Sequence, residues 1–505
     1  MKKFAIAARF RSLVALGGVL LLAAGVGVSA GTGMSAPQSA HAVAEWPWST
    51  PVTVTTAEFP FNNVTANPLV IDSEGRMMVV WKTVDNNFFR MASRTSLNGV
   101  DWTEPVYFTP ANKDASNAVL AVGNAGRITS LWLDYSGNDP TIWSNTFDGV
   151  SWLPAVKVTP SEGRYDNLAI VADSTGLVTA LWENQVACSI DSSTSTDGQS
   201  WTPAVPVTTD VGRCPWAPQI VVDGSNRLTA IWNADDGQVT EYIVVEASTS
   251  TTPGSWSTAE VLSTLGEDAR ESTLATTSGG LAVAAWKSEQ GTGPQIKSRS
   301  SQSGATWSPL VSHGSGDDGA PGVYAGPSGT VLLSWLSGTS GSDGVRVTSS
   351  HDGESWTSPL KISAEGDYAG LGRAQLSEDA CGQIVATWTA TDAAETAIFV
   401  QSSTSVNGLD WSAPINPASA YDLSMNLGLV EDAQGRVTAL WVGVNPSDQV
   451  TELQVSNMTK PVCASLPDTG ADSSVVGTSL AVSAGLLVAG ALVLALMRRR
   501  RNLGG

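Results

Sequence analysis

Between residues 167 and 208 the chain alternates short apolar runs with turn residues and never sustains the 3.6-residue apolar period of an amphipathic helix. Leu168-Ala169-Ile170-Val171-Ala172 ends at Asp173 and a Gly turn, and Val178-Thr179-Ala180-Leu181-Trp182 follows. Ala187 to Ser195 is a third run, and beyond Asp197-Gly198 comes Trp201-Thr202-Pro203-Ala204-Val205-Pro206-Val207. β-rich runs of this length, bounded by Gly, Asn, Asp and Ser, predict four antiparallel strands.

The pattern recurs about every 50 residues, a period that marks a repeated supersecondary unit. Trp81, Trp132, Trp182, Trp232, Trp286, Trp335, Trp388 and Trp441 form one series, and Trp48, Trp102, Trp152, Trp201, Trp256, Trp307, Trp356 and Trp411 the other. A four-stranded sheet cannot bury both faces alone, whereas radial repetition packs each sheet on its neighbours. The expected fold is all-β, an eight-bladed β-propeller with seven blades as the alternative count. Inner strands are expected to begin near Pro68, Ala118, Leu168, Gln219, Thr273, Gly322, Ala374 and Leu427. The eighth unit stops after three strands, at Thr451 to Asn457. Trp48-Ser49-Thr50-Pro51-Val52 matches Trp201 to Val205, so the N-terminal strand is predicted to close the last blade.

The two ends carry different signals. A basic start (Lys2, Lys3, Arg9, Arg11), an apolar run from Leu13 to Val28 and Ala40-His41-Ala42 predict a secretory signal over 1–42, with an earlier cut near Ala30 as the alternative. The propeller is assigned to 43–462 and a short linker with a sorting motif to 463–470. An apolar transmembrane segment spans 471–497 and a basic cytoplasmic tail 498–505; the Val475–Met497 stretch is long enough to cross a bilayer. Leu466-Pro467-Asp468-Thr469-Gly470, the apolar span and Arg498 to Arg501 together resemble the sorting signal of Gram-positive sortase substrates. That resemblance implies cleavage between Thr469 and Gly470, covalent linkage to peptidoglycan, and an extracellular, cell-wall-anchored protein that spans the membrane only before sorting.

The turn Ser96-Leu97-Asn98-Gly99-Val100-Asp101-Trp102 has close copies ending at Trp201, Trp356 and Trp411, while Thr252-Pro253-Gly254-Ser255 departs before Trp256. Asn-Gly and Asp-Gly suit two-residue hairpin loops that need positive φ. These turns resemble the Asp-box (BNR repeat) of the sialidase-like propellers, with one residue fewer between Asp and Gly. The resemblance implies structural turns that face away from the ligand site.

The net charge is −20, and removing both ends takes away eight basic residues against one acidic residue, Asp472. So acidic an exported chain repels nucleic acid and anionic lipid. The four cysteines suit an oxidising compartment. Cys188 and Cys214 both fall on the expected top face, Cys381 and Cys463 on the bottom, so the pairs Cys188–Cys214 and Cys381–Cys463 are predicted.

In a propeller the ligand face is built from the links between blades and the second-to-third-strand loops. Lys113, Asp114 and Asn117, Arg164, Tyr165 and Asp166, Arg213 and Trp216, Asp268, Arg270 and Glu271, Asp367, Tyr368 and Arg373, and Tyr421, Asp422 and Asn426 lie in the links. Asp134, Tyr135, Glu183, Asp235, Asp236 and Glu289 lie in the loops. Arg164, Arg213 and Arg270 precede three successive first strands. Three arginines can grip a carboxylate by charge-assisted bidentate bonds, and the sialidase resemblance implies a tyrosine nucleophile with a glutamate, here Tyr165 or Tyr421 with Glu183 or Glu271. The family's Phe-Arg-Ile-Pro motif is absent, Phe89-Arg90-Met91-Ala92 being the nearest run. The other reading of the arginines is that they pair with neighbouring acids.

Trp216, beside the expected Cys188–Cys214 disulfide, is a candidate stacking platform or a cap on the core. Outside both series also lie Trp46 and Trp143. Past the signal only His313 and His351 remain, too few for a histidine zinc site or a Ser-His-Asp triad. Asp317-Asp318 could hold calcium but lacks the EF-hand spacing; no other metal or cofactor is expected. The expected function is non-catalytic binding of host or wall glycans, or protein, through the top face by a monomer, with a surface exo-sialidase or related glycosidase as the alternative.

Overall fold

The computed structural model describes residues 46–459 except 58–63, 162, 209–212, 238–241, 290–292, 316–319, 338–343, 365–367, 380–381, 392–396, 419–422, 433, 446 and 448–449. The expected signal, sorting motif, membrane segment, Cys381–Cys463 pair, Tyr421 and Asp317-Asp318 lie outside the described residues.

Eight antiparallel sheets form the ring. Blade 3 is typical: Tyr165–Ala172, Val178–Asn184, Ser189–Ser195 and Val205–Pro206 lie side by side in chain order. The tryptophan-bearing second strand is central, between Ala169 (paired with Leu181) and Ser192 (paired with Leu181 on the other edge). Blades 1, 2, 4, 5 and 6 repeat this four-strand order. Among the described residues, blade 7 has the bridges Ser402–Ile415 and Ser405–Trp411 in place of an outer strand, and it pairs with blade 8 in parallel at Ile398 and Leu423. Blade 8 consists of Leu423–Glu431, Arg436–Val444 and Thr451–Thr459, completed by Val52–Ala57 from the start of the chain. Val52 pairs with Val455, and Trp48 bridges Met458. Closure by the N-terminal strand is as expected, but its regular ladder lies further along the chain than Trp48 to Val52.

First strands begin at Val64, Ala115, Tyr165, Trp216, Ala269, Gly322, Tyr368 and Leu423. All but Gly322 start three to six residues before the sequence pattern placed them, because each strand continues upward across a β-bulge whose residues break the apolar run.

The apolar core lies between blades. Trp132 packs with Val70, Met78 and Met91 of blade 1, Trp182 with Val119 and Leu131 of blade 2, Trp232 with Ala169 and Ile190 of blade 3, and Trp286 with Val221 and Val245 of blade 4. Trp335, Trp388, Trp441 and Trp81 continue the series, Trp81 against Met425 and Leu440 of blade 8. Trp46, outside both series, is buried in the cluster between blades 7 and 8. Burying an indole removes ~150–250 Å² from water, about 4–6 kcal/mol each at ~25 cal/mol/Å² as an upper bound.

The turns that resemble the Asp-box add a second inter-blade contact. In blade 3, Ser195 Oγ accepts the Gly198 N–H at 2.8 Å and Asp197 accepts the N–H groups of Gln199 (2.8 Å) and Ser200 (2.7 Å). Gly198 has φ +67°, and a Cβ there would stand 2.0 Å from Thr146 Oγ1 of blade 2. Gly99 meets Asn457 of blade 8 in the same way, so this turn also seals the ring. On the same face, Asp72, Asp223 and Asp432 each cap a first-to-second-strand turn and pair with Arg76, Arg227 and Arg436.

Gly198→Ala is expected to destabilise the protein by ~1–3 kcal/mol, from the left-handed backbone and the clash with Thr146 together; an unchanged urea midpoint would refute this account of the turn.

His313 gives a pH signature. Its Nε2 lies 2.7 Å from Ser298 Oγ and its ring meets Trp356 edge-on at 4.8 Å. Burial pushes its pKa down from 6.5 to about 4. The unfolded chain therefore binds a proton below pH 6.5 that the folded chain refuses, so stability falls as pH drops from 6.5 towards 4, by up to ~3 kcal/mol from this group. His313→Gln should flatten that part of the stability curve relative to the wild type, with denaturant unfolding across pH 4–7 as the measurement.

Candidate functional site

The bulges of the first strands set the geometry of the top face. Register shifts at Ser116/Val119, Asp166/Ala169, Trp216/Gln219 and Arg270/Thr273 place Asn117, Asn167, Ala217 and Glu271 at equivalent positions with φ of 54°, 47°, 52° and 55°. Bulges re-aim side chains, and a left-handed conformation is costly for Ala and Glu. Blade 7 has a longer bulge between Leu371 and Gln375, and Arg373 occupies the matching place, two residues before the residue paired with Thr387.

Blades 2 and 3 hold an acidic cluster. Asp166 and Glu183 are directly paired across neighbouring strands. Asn167 Nδ2 donates to Glu183 Oε2, the Asn167 N–H donates to Asp166 at 2.8 Å, and Asn117 Nδ2 donates to Asp166 at 3.5 Å. Burial raises the Glu183 pKa, with Asp166 adding to the rise and bonds from Asn167 and Gln185 opposing it. Burial also pushes the Tyr135 hydroxyl up to about 12, helped by the Asp166 charge. Asp134 behaves oppositely: burial would raise it, but Lys113, at 2.8 Å, and Ser136 hold it below the usual carboxylate range. Lys113 in turn lies 5.0 Å from the ring centre of Trp143, which stacks on Trp132.

The four arginines differ in what they touch. Arg213 Nη1 pairs with Glu246 at 2.7 Å, and the other oxygen of Glu246 accepts the indole N–H of core Trp232 at 2.9 Å. Arg270 pairs with Asp268 at 3.1 Å. Arg373 donates to the carbonyls of Glu271 (2.9 Å) and Ser272 (3.0 Å) in blade 5, and burial lowers its pKa to about 10. Arg164 is exposed, with no ion pair among the described residues. Arg213 and Arg270 thus pair with acids, Arg373 bonds backbone carbonyls, and Arg164 has no ion pair among the described residues. Tyr165 packs its ring into the cluster between blades 2 and 3, against Gly163.

The Cys188–Cys214 disulfide is present as predicted. Trp216, two residues on, is half-buried. Phe88, Phe89 and Tyr135 are exposed on the same face, at 37%, 41% and 42%. The Phe89 N–H donates to Asp114, and the Asp114 N–H to Ser136 beside Tyr135, so the blade 1 hairpin is tied to blade 2. Partly exposed aromatic side chains thus stand on blades 1, 2 and 4, the Phe89 ring with Lys82 Nζ 4.7 Å from its centre, and the Asp166–Glu183 pair stands on blade 3. Phe88 and Phe89 had no signal in the sequence pattern beyond lying in a hairpin. Among the described residues, no three His, Cys, Asp or Glu side chains gather as metal ligands.

No family model matches the chain, and no curated protein matches it. Similar solved structures include the polysaccharide lyase Uly1 (TM-score 0.46, 10% identity, 81% of this chain and 99% of that one). Others are the Hadza microbial sialidase Hz136 (0.36, 15%, 65% and 76%) and the α-L-arabinofuranosidase Arb93A of Fusarium graminearum (0.39, 10%, 81% and 97%). Similarity at this level carries no statement about activity.

Arg213→Ala is expected to cost ~3 kcal/mol, because it leaves the Glu246 carboxylate buried without its cation. Arg164→Ala should stay within ~0.5 kcal/mol. Equal midpoints in chemical denaturation would contradict the division of roles. In Glu side-chain NMR titrations, Asp166→Asn should lower the Glu183 pKa and Asn167→Ala should raise it.

Proposed function

We propose that this chain is an exported, sortase-anchored surface propeller that binds glycans through its top face without turning them over. The reading rests on one observation: Phe88, Phe89 and Tyr135 are exposed and Trp216 half-buried on the side where the first-strand bulges place Asn117, Asn167 and Glu271. Aromatic faces beside fixed amide and carboxylate groups suit sugar rings, which have apolar faces and polar edges. Committed arginines argue against a sialidase-type carboxylate grip, since Arg213 and Arg270 already hold carboxylates. Peptidoglycan would be the covalent partner, and the strongly negative chain disfavours nucleic acid.

A glycosidase is the second reading, favoured by one pair: Glu183, whose pKa is raised by burial, beside ionisable Asp166. Two adjacent carboxyl groups in different environments can divide acid and base roles.

On a glycan array the mature chain should bind a defined subset of sugars, with Trp216→Ala losing at least ~10-fold in affinity, ~1.4 kcal/mol. Fluorogenic sialosides and arabinosides should not be hydrolysed; turnover abolished by Glu183→Gln would establish the second reading instead. Protein released from the wall by muralytic digestion should end at Thr469, and recovery of chains that retain residues 470–505 would rule out sortase processing.

A further inference from the structure

The top of the seam between blades 1 and 2 collects cations, in a chain whose acidic residues outnumber its basic ones 47 to 27. Strand alternation turns Lys82 and Phe89 towards blade 2, on the face of blade 1 that sends Met78, Val80 and Met91 into the inter-blade core. Trp143 packs against the same core from blade 2, and Lys157, on the outer strand of that blade, is paired with it across the ladder. Lys113 enters from the link between the two blades.

Aromatic rings hold these ammonium groups. Lys82 Nζ lies 4.7 Å from the centre of Phe89, and Lys113 and Lys157 lie 5.0 and 5.7 Å from the centre of Trp143. Trp132 stacks on one face of Trp143, so both ammonium groups are left to its other face and its rim. Two like charges beside one indole repel each other, and the carboxylates at hand do not offset all of the charge. Asp134 pairs with Lys113, while Asp114, which accepts the Phe89 N–H, acts on Lys82 without forming an ion pair. Lys157 has no ion pair among the described residues either. Burial lowers the Lys82 pKa, with Asp114 opposing, as befits an ammonium short of counter-charge. Lys82, Lys113 and Lys157 thus stand against Asp114 and Asp134, one positive charge in excess. Solvent reaches these groups: Lys157 is exposed, the Phe89 residue is 41% exposed, and Lys113 keeps 24% of its side-chain surface.

We propose that this seam binds the carboxylate of an acidic sugar, with Lys113 and Lys157 donating to it beside the Trp143 ring and Lys82 adding its charge; the assignment rests on the glycan-binding reading and specifies its ligand class. An ammonium has three donors and no acceptor. A ring face occupies one side of it, so each lysine keeps N–H groups for a ligand. Charge decides among anions: one excess positive charge matches a single carboxylate, whereas a polyanion is repelled by a chain of net charge −20. Phe89 and Tyr135, both tied to Asp114 through their backbone N–H groups, offer exposed apolar surface for the sugar ring that carries the carboxylate.

The test is an NMR titration of the full mature chain carrying isotope-labelled tryptophan, with glucuronate and galacturonate as probes and glucose, galactose and acetate as controls. The Trp143 indole N–H signal, identified by its loss in Trp143→Phe, should move saturably with at least one uronate and stay in place with the neutral sugar of the same ring. The affinity should fall as sodium chloride is raised, because solvent-exposed charges are screened. Lys157→Gln, which breaks no ion pair among the described residues, should keep the wild-type melting temperature and weaken the uronate at least ~10-fold. A uronate response that Lys157→Gln leaves unchanged, or equal responses to a uronate and its neutral counterpart, would overturn the carboxylate site and leave the glycan reading standing. Acetate binding as tightly as the uronates would overturn it in favour of an unselective anion site. No response to any probe would overturn it as well, and only a glycan array without hits would remove the glycan reading with it.

Discussion

Everything on the top face depends on the packing of each inner-series tryptophan against the blade before it. Trp132, Trp182, Trp232, Trp286, Trp388 and Trp441 are fully buried, and the residues they touch belong to the neighbouring sheet as much as to their own. A single blade has no core of its own, so the angle between blades is set by these indoles and by the glycine turns that abut the preceding blade. Several indoles also fix polar groups. Trp132 donates to Asn145, Trp232 to Glu246, Trp286 to Glu267 and Trp388 to Gln401. Two of those acceptors are carboxylates that recruit cations, Arg213 and Lys297. The core thus dictates how much of the charged surface is available for anything else.

This explains what was legible in the sequence. A tryptophan on a central strand repeats because every inter-blade gap has the same depth, so blade number, strand order and closure by the N-terminal strand could be read directly. The Cys188–Cys214 pair followed from the same map, since both residues flank one face of blades 3 and 4. The bulges were hidden. Asn117 and Asn167 are residues that tolerate a left-handed backbone, but Ala217 and Glu271 adopt it with no side-chain signal, because the constraint is the shared curvature of first strands around the channel. These first strands therefore begin upstream of their apolar runs.

The arginines show the other limit. Position along the chain suggested that Arg164, Arg213 and Arg270 act together, yet a long side chain selects its partner from whatever the fold brings near. Arg213 finds Glu246, 33 residues away, and Arg373 finds backbone carbonyls about a hundred residues away. Short polar residues were more readable: Ser195, Asp197 and Gly198 bond within their own turn, so their local pattern carries their structure.

The closure of blade 8 has a mechanical side. Thr451–Thr459, the final described strand, lies between Arg436–Val444 on one edge and Val52–Ala57 on the other, paired antiparallel to both. A pull on the chain end along this strand loads two ladders at once in shear, where the bonds share the force, whereas an edge strand would peel away one bond at a time. The Ser49 N–H bond to the Asn457 carbonyl and the Asn457 amide on Gly99 lie at the end where such tension enters. A load applied at the C-terminal end of that strand would be shared by both ladders before the ring could open.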